Sequence, residues 1–139
     1  MNKKLARLLA VGAATLGAIA FSASPAAAGG VSRTISGAYG AADFYYSSKT
    51  YADRIYLTLQ DRAPDGHHVR LRVQSQTRDR VLTSYAWRKV TTGYETVGQW
   101  VTELKDTRGI WSLRIQVCVF EGDKALGCDV SKWDGNPYY

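Results

Sequence analysis

Arg54-Ile55-Tyr56-Leu57-Thr58-Leu59-Gln60, followed after an Ala63-Pro64-Asp65-Gly66 turn by Val69-Arg70-Leu71-Arg72-Val73-Gln74, decides the fold class of this chain. In each run aliphatic residues alternate strictly with polar or aromatic ones. A period of two places Ile55, Leu57 and Leu59 on one face of a strand, and Val69, Leu71 and Val73 on one face of another. The Pro-Asp-Gly sequence between them is a turn signal. The two runs therefore read as a β-hairpin with one buried face.

Working outward, the same signature recurs. Val81 to Arg88 alternates with Val81, Thr83, Tyr85 and Trp87 on one side, and Thr96 to Leu104 with Trp100, Thr102 and Leu104. Ile110 to Phe120 sets Trp111, Leu113, Ile115, Val117 and Val119 against Ser112, Arg114, Gln116 and Cys118. Leu126 to Val130 reads as the last strand, and Ala41 to Tyr46 as an early one. Turn clusters such as Thr91-Thr92-Gly93, Asp106-Thr107-Arg108-Gly109 and Glu121-Gly122-Asp123 separate these runs, and no sustained helical period intervenes. About seven or eight short antiparallel strands in one domain predict an all-β fold, a β-sandwich or small barrel.

Residues 1–28 read differently. Lys3, Lys4 and Arg7 precede an uncharged apolar run from Leu8 to Phe21, and Ala26 and Ala28 supply small residues at a cleavage site. That order is a secretory signal peptide cleaved after Ala28. The run is shorter than the roughly 20 residues that span a bilayer as a helix, so a membrane span is not expected. Cleavage leaves 111 residues, one mature β-domain over 29–139. The segment Gly29–Gly37 reads as a first edge strand or a loose extended arm.

Removing three cationic residues lowers the net charge from +6 to +3. Such a balance speaks for solubility and against nucleic acid as a partner. Arg70 and Arg72, two apart, share the outer face of a strand and read as a solvated sheet face. Two cysteines, Cys118 and Cys128, in an exported domain predict one disulfide. It closes a loop of about 11 residues, for which the chain-entropy account gives roughly 2.5–3 kcal/mol.

Catalytic constellations are not legible. His67 and His68 are adjacent, so they point to opposite faces of a strand and make a poor metal pair. No Gly-x-Ser-x-Gly elbow, phosphate-cradling glycine loop or dinucleotide fingerprint is present. The carboxylates are scattered, mostly in turns; Asp61 and Asp65 flank a turn that lacks the calcium-loop spacing, leaving only a weak calcium site to consider. The chain reads as non-enzymatic, with no cofactor and no metal.

Aromatic residues carry more signal. The mature part holds four Trp, nine Tyr and two Phe. Phe44-Tyr45-Tyr46 must place rings on both faces of a strand, and Trp133, Tyr138 and Tyr139 crowd the end of the chain. Surface Tyr and Trp suit protein interfaces and sugar stacking.

The segments Gly37–Arg54, Asp65–Arg70 and Val117–Gly122 carry a resemblance covering most of the mature chain. On these residues the protein resembles a group of small actinobacterial secreted proteins. The resemblance implies secretion and a compact disulfide-bonded β-domain, and it assigns no catalytic residue.

Three function classes follow. The first is an extracellular protein-interaction module, an adaptor or complex subunit (by analogy, of a secreted toxin particle). It would bind its partner through Val31, Arg33 and Ile35 of the arm with Tyr45 and Tyr46. The second is a carbohydrate-binding domain stacking sugars on Trp133, Tyr138 and Tyr139. The third is a secreted hydrolase inhibitor: Ala86-Trp87-Arg88 resembles the Trp-Arg-Tyr motif of small microbial amylase inhibitors, with Lys89 in place of the tyrosine.

Overall fold

The computed structural model describes residues 27–139. The signal peptide read over residues 1–28 lies outside them except for Ala27 and Ala28, which begin the first strand. In chain order the strands are β1 (Ala27–Ile35), β2 (Ala38–Ser48), β3 (Tyr51–Asp61), β4 (His68–Gln76), β5 (Leu82–Ser84), β6 (Arg88–Val90), β7 (Val97–Lys105), β8 (Ser112–Glu121), β9 (Lys124–Val130) and β10 (Asp134–Gly135). Every pairing is antiparallel. The fold is an all-β sandwich of two sheets.

The first sheet runs β1-β2-β3-β7. The second is centred on the β4–β8 pair, whose two outer edges are each filled by two short strands in succession: β5 then β6 along β4, β10 and β9 along β8. Between the sheets lie Phe44, Ile55, Leu57 and Leu59 from the first, facing Val69, Leu71, Leu113, Ile115 and Val117 from the second. Each such side chain, fully buried, contributes roughly 1.5–3 kcal/mol, which is what fixes the parity of every long strand.

The expected β3–β4 hairpin is not formed. β3 pairs with β2 and β7, whereas β4 pairs with β8, β5 and β6. Residues 62–67 carry the chain from one sheet to the other. The two apolar stripes meet face to face across the core instead of lying side by side. Asp61 anchors this corner: its Oδ1 accepts from Ala63 N at 3.2 Å, and its backbone N–H donates to Thr96 O at 3.1 Å.

The segment 81–88 also departs from its expected single strand. It breaks into β5 and β6 around Tyr85-Ala86-Trp87. Tyr85 packs against the core, its hydroxyl 2.9 Å from Ser75 Oγ, while Trp87 covers the outer face of the second sheet. The break reverses the parity between those two rings, which uninterrupted alternation would have put together.

Gly29–Gly37 is the edge strand of its two readings, not a loose arm. Gly29 to Ile35 pair in continuous register with Phe44 to Ala38. Gly37, at φ 90°, takes the left-handed backbone that the tight turn into β2 requires.

Candidate functional site

The residues proposed for a protein partner do not form one surface. Val31 and Ile35 pack against the core. Arg33 forms an ion pair with Asp129 of β9. Tyr46 is 1% exposed, and its hydroxyl donates to the Asp134 carbonyl and carboxylate, both at 2.9 Å. Burial, with Asp134 adding, raises its phenol far above the ordinary range. Tyr45 is half-buried on the outer face of the first sheet, edge-on to Tyr56 at 5.7 Å and beneath Arg54, while Arg33 is exposed at the sheet edge. Strand alternation separates Tyr45 from Tyr46, so the Tyr46 assignment is corrected to a buried latch on the C-terminal segment.

Two of the three residues named for carbohydrate stacking do come together. After β9 the chain folds back along the start of β8, where Asp134 and Gly135 pair with Leu113 and Ser112. Asn136 clamps it there: its buried amide donates to Ser48 O at 2.9 Å and Ile110 O at 2.8 Å, and its Oδ1 accepts from Tyr138 N. This clamp places Trp133 and Tyr139 beside Trp111 in an open cleft of about 450 Å³, completed by Gln76, Arg80, Ser112 and Asn136. Tyr138 is exposed and lies outside the cleft lining. Ser112 is only 4% exposed, yet its hydroxyl has no hydrogen-bond partner among the described residues. A buried polar atom left so costs about 1–3 kcal/mol unless something else satisfies it.

The cleft opens onto the outer face of β4 and β8, where arginines lie on aromatic rings. Arg70 sits over Phe120 at 3.9 Å, Arg72 over Trp87 at 4.2 Å, Arg114 over Trp133 at 4.2 Å and Arg80 over Trp111 at 5.8 Å. The expectation of a solvated sheet face fails for Arg70, which is 7% exposed. Its head is held by Gly122 O at 2.9 Å, Asp123 at 3.2 Å and His68 Nε2 at 2.8 Å. These rings come from β8 and the residue before it, the β5–β6 break and the C-terminal segment, so no single strand's alternation could announce the stack.

His68 stacks on Phe120, and burial, followed by Arg70 and Lys89, holds its imidazole below the usual histidine range; Asp123 and Asp61 oppose this weakly. The neutral ring accepts from Arg70, and protonation removes that acceptor. Because the folded pKa is the lower one, the unfolded chain takes up the proton first as pH falls. The stability His68 contributes is full above about pH 6.5 and is lost as pH drops through the folded value. Cooling in Tm between pH 7.5 and 5.0 should thus be smaller in His68→Gln, which keeps an acceptor, than in the wild type. Equal losses in both proteins would contradict the assignment.

The other sequence candidates are local. Asp65 Oδ1 accepts from His67 N at 3.0 Å, and Asp61 serves its corner, so both carboxylates are engaged in turns. Among the described residues no three His, Cys, Asp or Glu side chains group as metal ligands. Trp87, named for the inhibitor reading, is edge-on to Phe120 at 5.5 Å and lies beneath Arg72. Cys118 and Cys128 are disulfide-bonded, directly opposite each other in the β8–β9 register. No helix among the described residues is long and apolar enough to cross a membrane. No protein family, curated protein or solved structure matches this chain.

Proposed function

We propose that this protein is a secreted, non-catalytic binding module that holds a carbohydrate chain in the Trp111–Trp133–Tyr139 cleft. The observation that carries the reading is the composition of that cleft. Three aromatic rings line it, Trp133 beneath Arg114 and Trp111 beneath Arg80, as surfaces for the C–H face of sugars, and Gln76 and Arg80 offer polar groups for sugar hydroxyls. Its volume falls within the roughly 300–1,000 Å³ usual for ligand sites, and a few convergent polar groups among aromatic walls are the usual recipe for one. The disulfide supports an oxidising, extracytoplasmic setting.

Titration calorimetry against soluble polysaccharides tests the reading. Trp133→Ala should weaken binding about 30-fold, the loss typical of a central tryptophan anchor. Gln76→Ala should weaken it less, and Tyr138→Ala should leave it unchanged. Retention of no glycan by the wild type, or wild-type affinity in Trp133→Ala, would overturn it.

One observation favours a second reading, an extracellular protein partner. On the outer face of the first sheet Tyr56, 40% exposed, pairs with Val101, 63% exposed, and touches Tyr45. Capture of a stoichiometric protein that Val101→Glu abolishes would support it.

A further inference from the structure

We propose that Arg72 and Arg114 form a paired anion subsite that makes the glycan ligand an acidic one, bearing carboxylate or sulfate groups along its chain. The inference rests on the carbohydrate reading and goes beyond it by naming the ligand's charge. Arg72 lies opposite Gln116 and Arg114 opposite Gln74 in the β4–β8 register, so the two arginines occupy one diagonal of a cross-strand square. The Cα atoms of diagonal neighbours stand about 7–8 Å apart, so the two arginines rise from adjacent points of one sheet face.

Each guanidinium is fixed before any ligand arrives. Arg72 Nε donates to Gln116 Oε1 at 2.7 Å, and Arg114 Nε donates to Gln74 Oε1 at 2.8 Å. Gln74 is itself oriented, its amide donating to Ser84 Oγ at 3.0 Å. The planes are supported by Trp87 and Trp133. Only Nε is used: among the described residues the Nη atoms of both arginines make no hydrogen bond, and neither arginine has an ion-pair partner. Arg33, Arg70 and Arg108, by contrast, each hold a carboxylate.

Partly desolvated cations with oriented, unused N–H groups are electrostatically incomplete. A carboxylate or sulfate completes them, because the guanidinium fork matches two oxyanion oxygens at once. The subsite also adjoins the sugar cleft through Trp133, which supports Arg114 on β8 and lines the cleft. A ring stacked in the cleft would therefore carry its acidic neighbours across the sheet towards Arg114 and Arg72.

The test compares polymers of one backbone with and without charge: polygalacturonate against its methyl ester, and dextran sulfate against dextran. The wild type should bind at least one charged polymer about tenfold or more tightly than its neutral form. Arg72→Gln and Arg114→Gln should each remove most of that preference while binding of the neutral polymer persists. Arg72→Lys and Arg114→Lys, which keep the charge but lose the fork, should fall between, and they carry the test if a glutamine variant fails to fold. Equal wild-type binding of charged and neutral forms, or undiminished preference in the variants, overturns the anion subsite. In that case the carbohydrate reading still stands on Trp133→Ala. Binding of polyglutamate or duplex DNA as tight as that of the acidic glycan also overturns it, because the face would then be a general polyanion binder. Absence of binding to any glycan overturns both.

Discussion

Gly40→Val should lower the stability of the fold severely, by about 3 kcal/mol or more. Gly40 lies on the inward face of β2, fully covered, where the first sheet comes against the centre of the second. A Cβ there would stand 2.5 Å from Val117 Cγ2, 2.8 Å from Leu71 Cδ1 and 3.4 Å from Ile115 Cδ1. Those three side chains are themselves at 0% exposure on the two central strands, so none can swing out of the way. Inserting methyl groups into such packing costs typically 1–3 kcal/mol and occasionally more, since the alternative is to part the sheets. Valine adds three carbons at the tightest point, which places it at the upper end, about 3 kcal/mol or above. Against a usual stability of about 5–15 kcal/mol for a whole domain, that is a severe loss. Gly40→Ala should be milder, and Gly40→Ala combined with Val117→Ala should recover part of its loss. Denaturant unfolding measures the series, and a wild-type midpoint in Gly40→Val would show that the sheets are not held this closely.

Removing the disulfide should cost about 2.8 kcal/mol, the chain-entropy value for the 11-residue loop it closes. Position explains why little else compensates. β9 pairs only with β8, and residues 124–128 are exposed, so almost no apolar burial holds the strand. Beyond the bridge, its attachments are the ladder to β8 and the Arg33–Asp129 ion pair, and exposed pairs of that kind contribute little. The Cys118→Ala/Cys128→Ala protein should therefore lose amide protection first along Lys124–Val130. Arg70 should follow, because its carbonyl and carboxylate partners, Gly122 and Asp123, sit in the β8–β9 turn. Dithiothreitol should lower the unfolding midpoint of the wild type by the same amount and leave the double variant unmoved. An unchanged midpoint in the double variant would mean that the hairpin is held by something other than the bridge.

Much of the sandwich was legible because burial acts on each strand separately. Alternation over Arg54–Gln60, Val69–Gln74, Thr96–Leu104 and Ile110–Phe120 identified the inward residues of β3, β4, β7 and β8, and the structure buries the aliphatic stripes of β3, β4 and β8 as expected. Just before β8 the reading fails, because Ile110 is buried in the core and Trp111, expected inward, lines the outer cleft. The Cys118–Cys128 bridge was equally legible, there being one pair to join. Alternation failed where the chain departs from regular extension. The break at Tyr85–Trp87 and the return of the chain at Trp133 both reset the parity, and each of them delivers an aromatic ring to the outer face of the second sheet.

Sequence alone determined the class of fold, the inward face of each long strand, the disulfide and the aromatic surplus at the end of the chain, because each depends on local period or on residue type. Only the tertiary structure decided that β3 and β4 belong to opposite sheets. An apolar stripe gains the same burial from a strand packed across the core as from one laid alongside, so the pattern that names the buried face is silent about the neighbour. The same holds for the outer face: Arg72 and Arg114 read as ordinary sheet cations until Asn136 and the broken β5–β6 edge bring Trp133 and Trp87 beneath them.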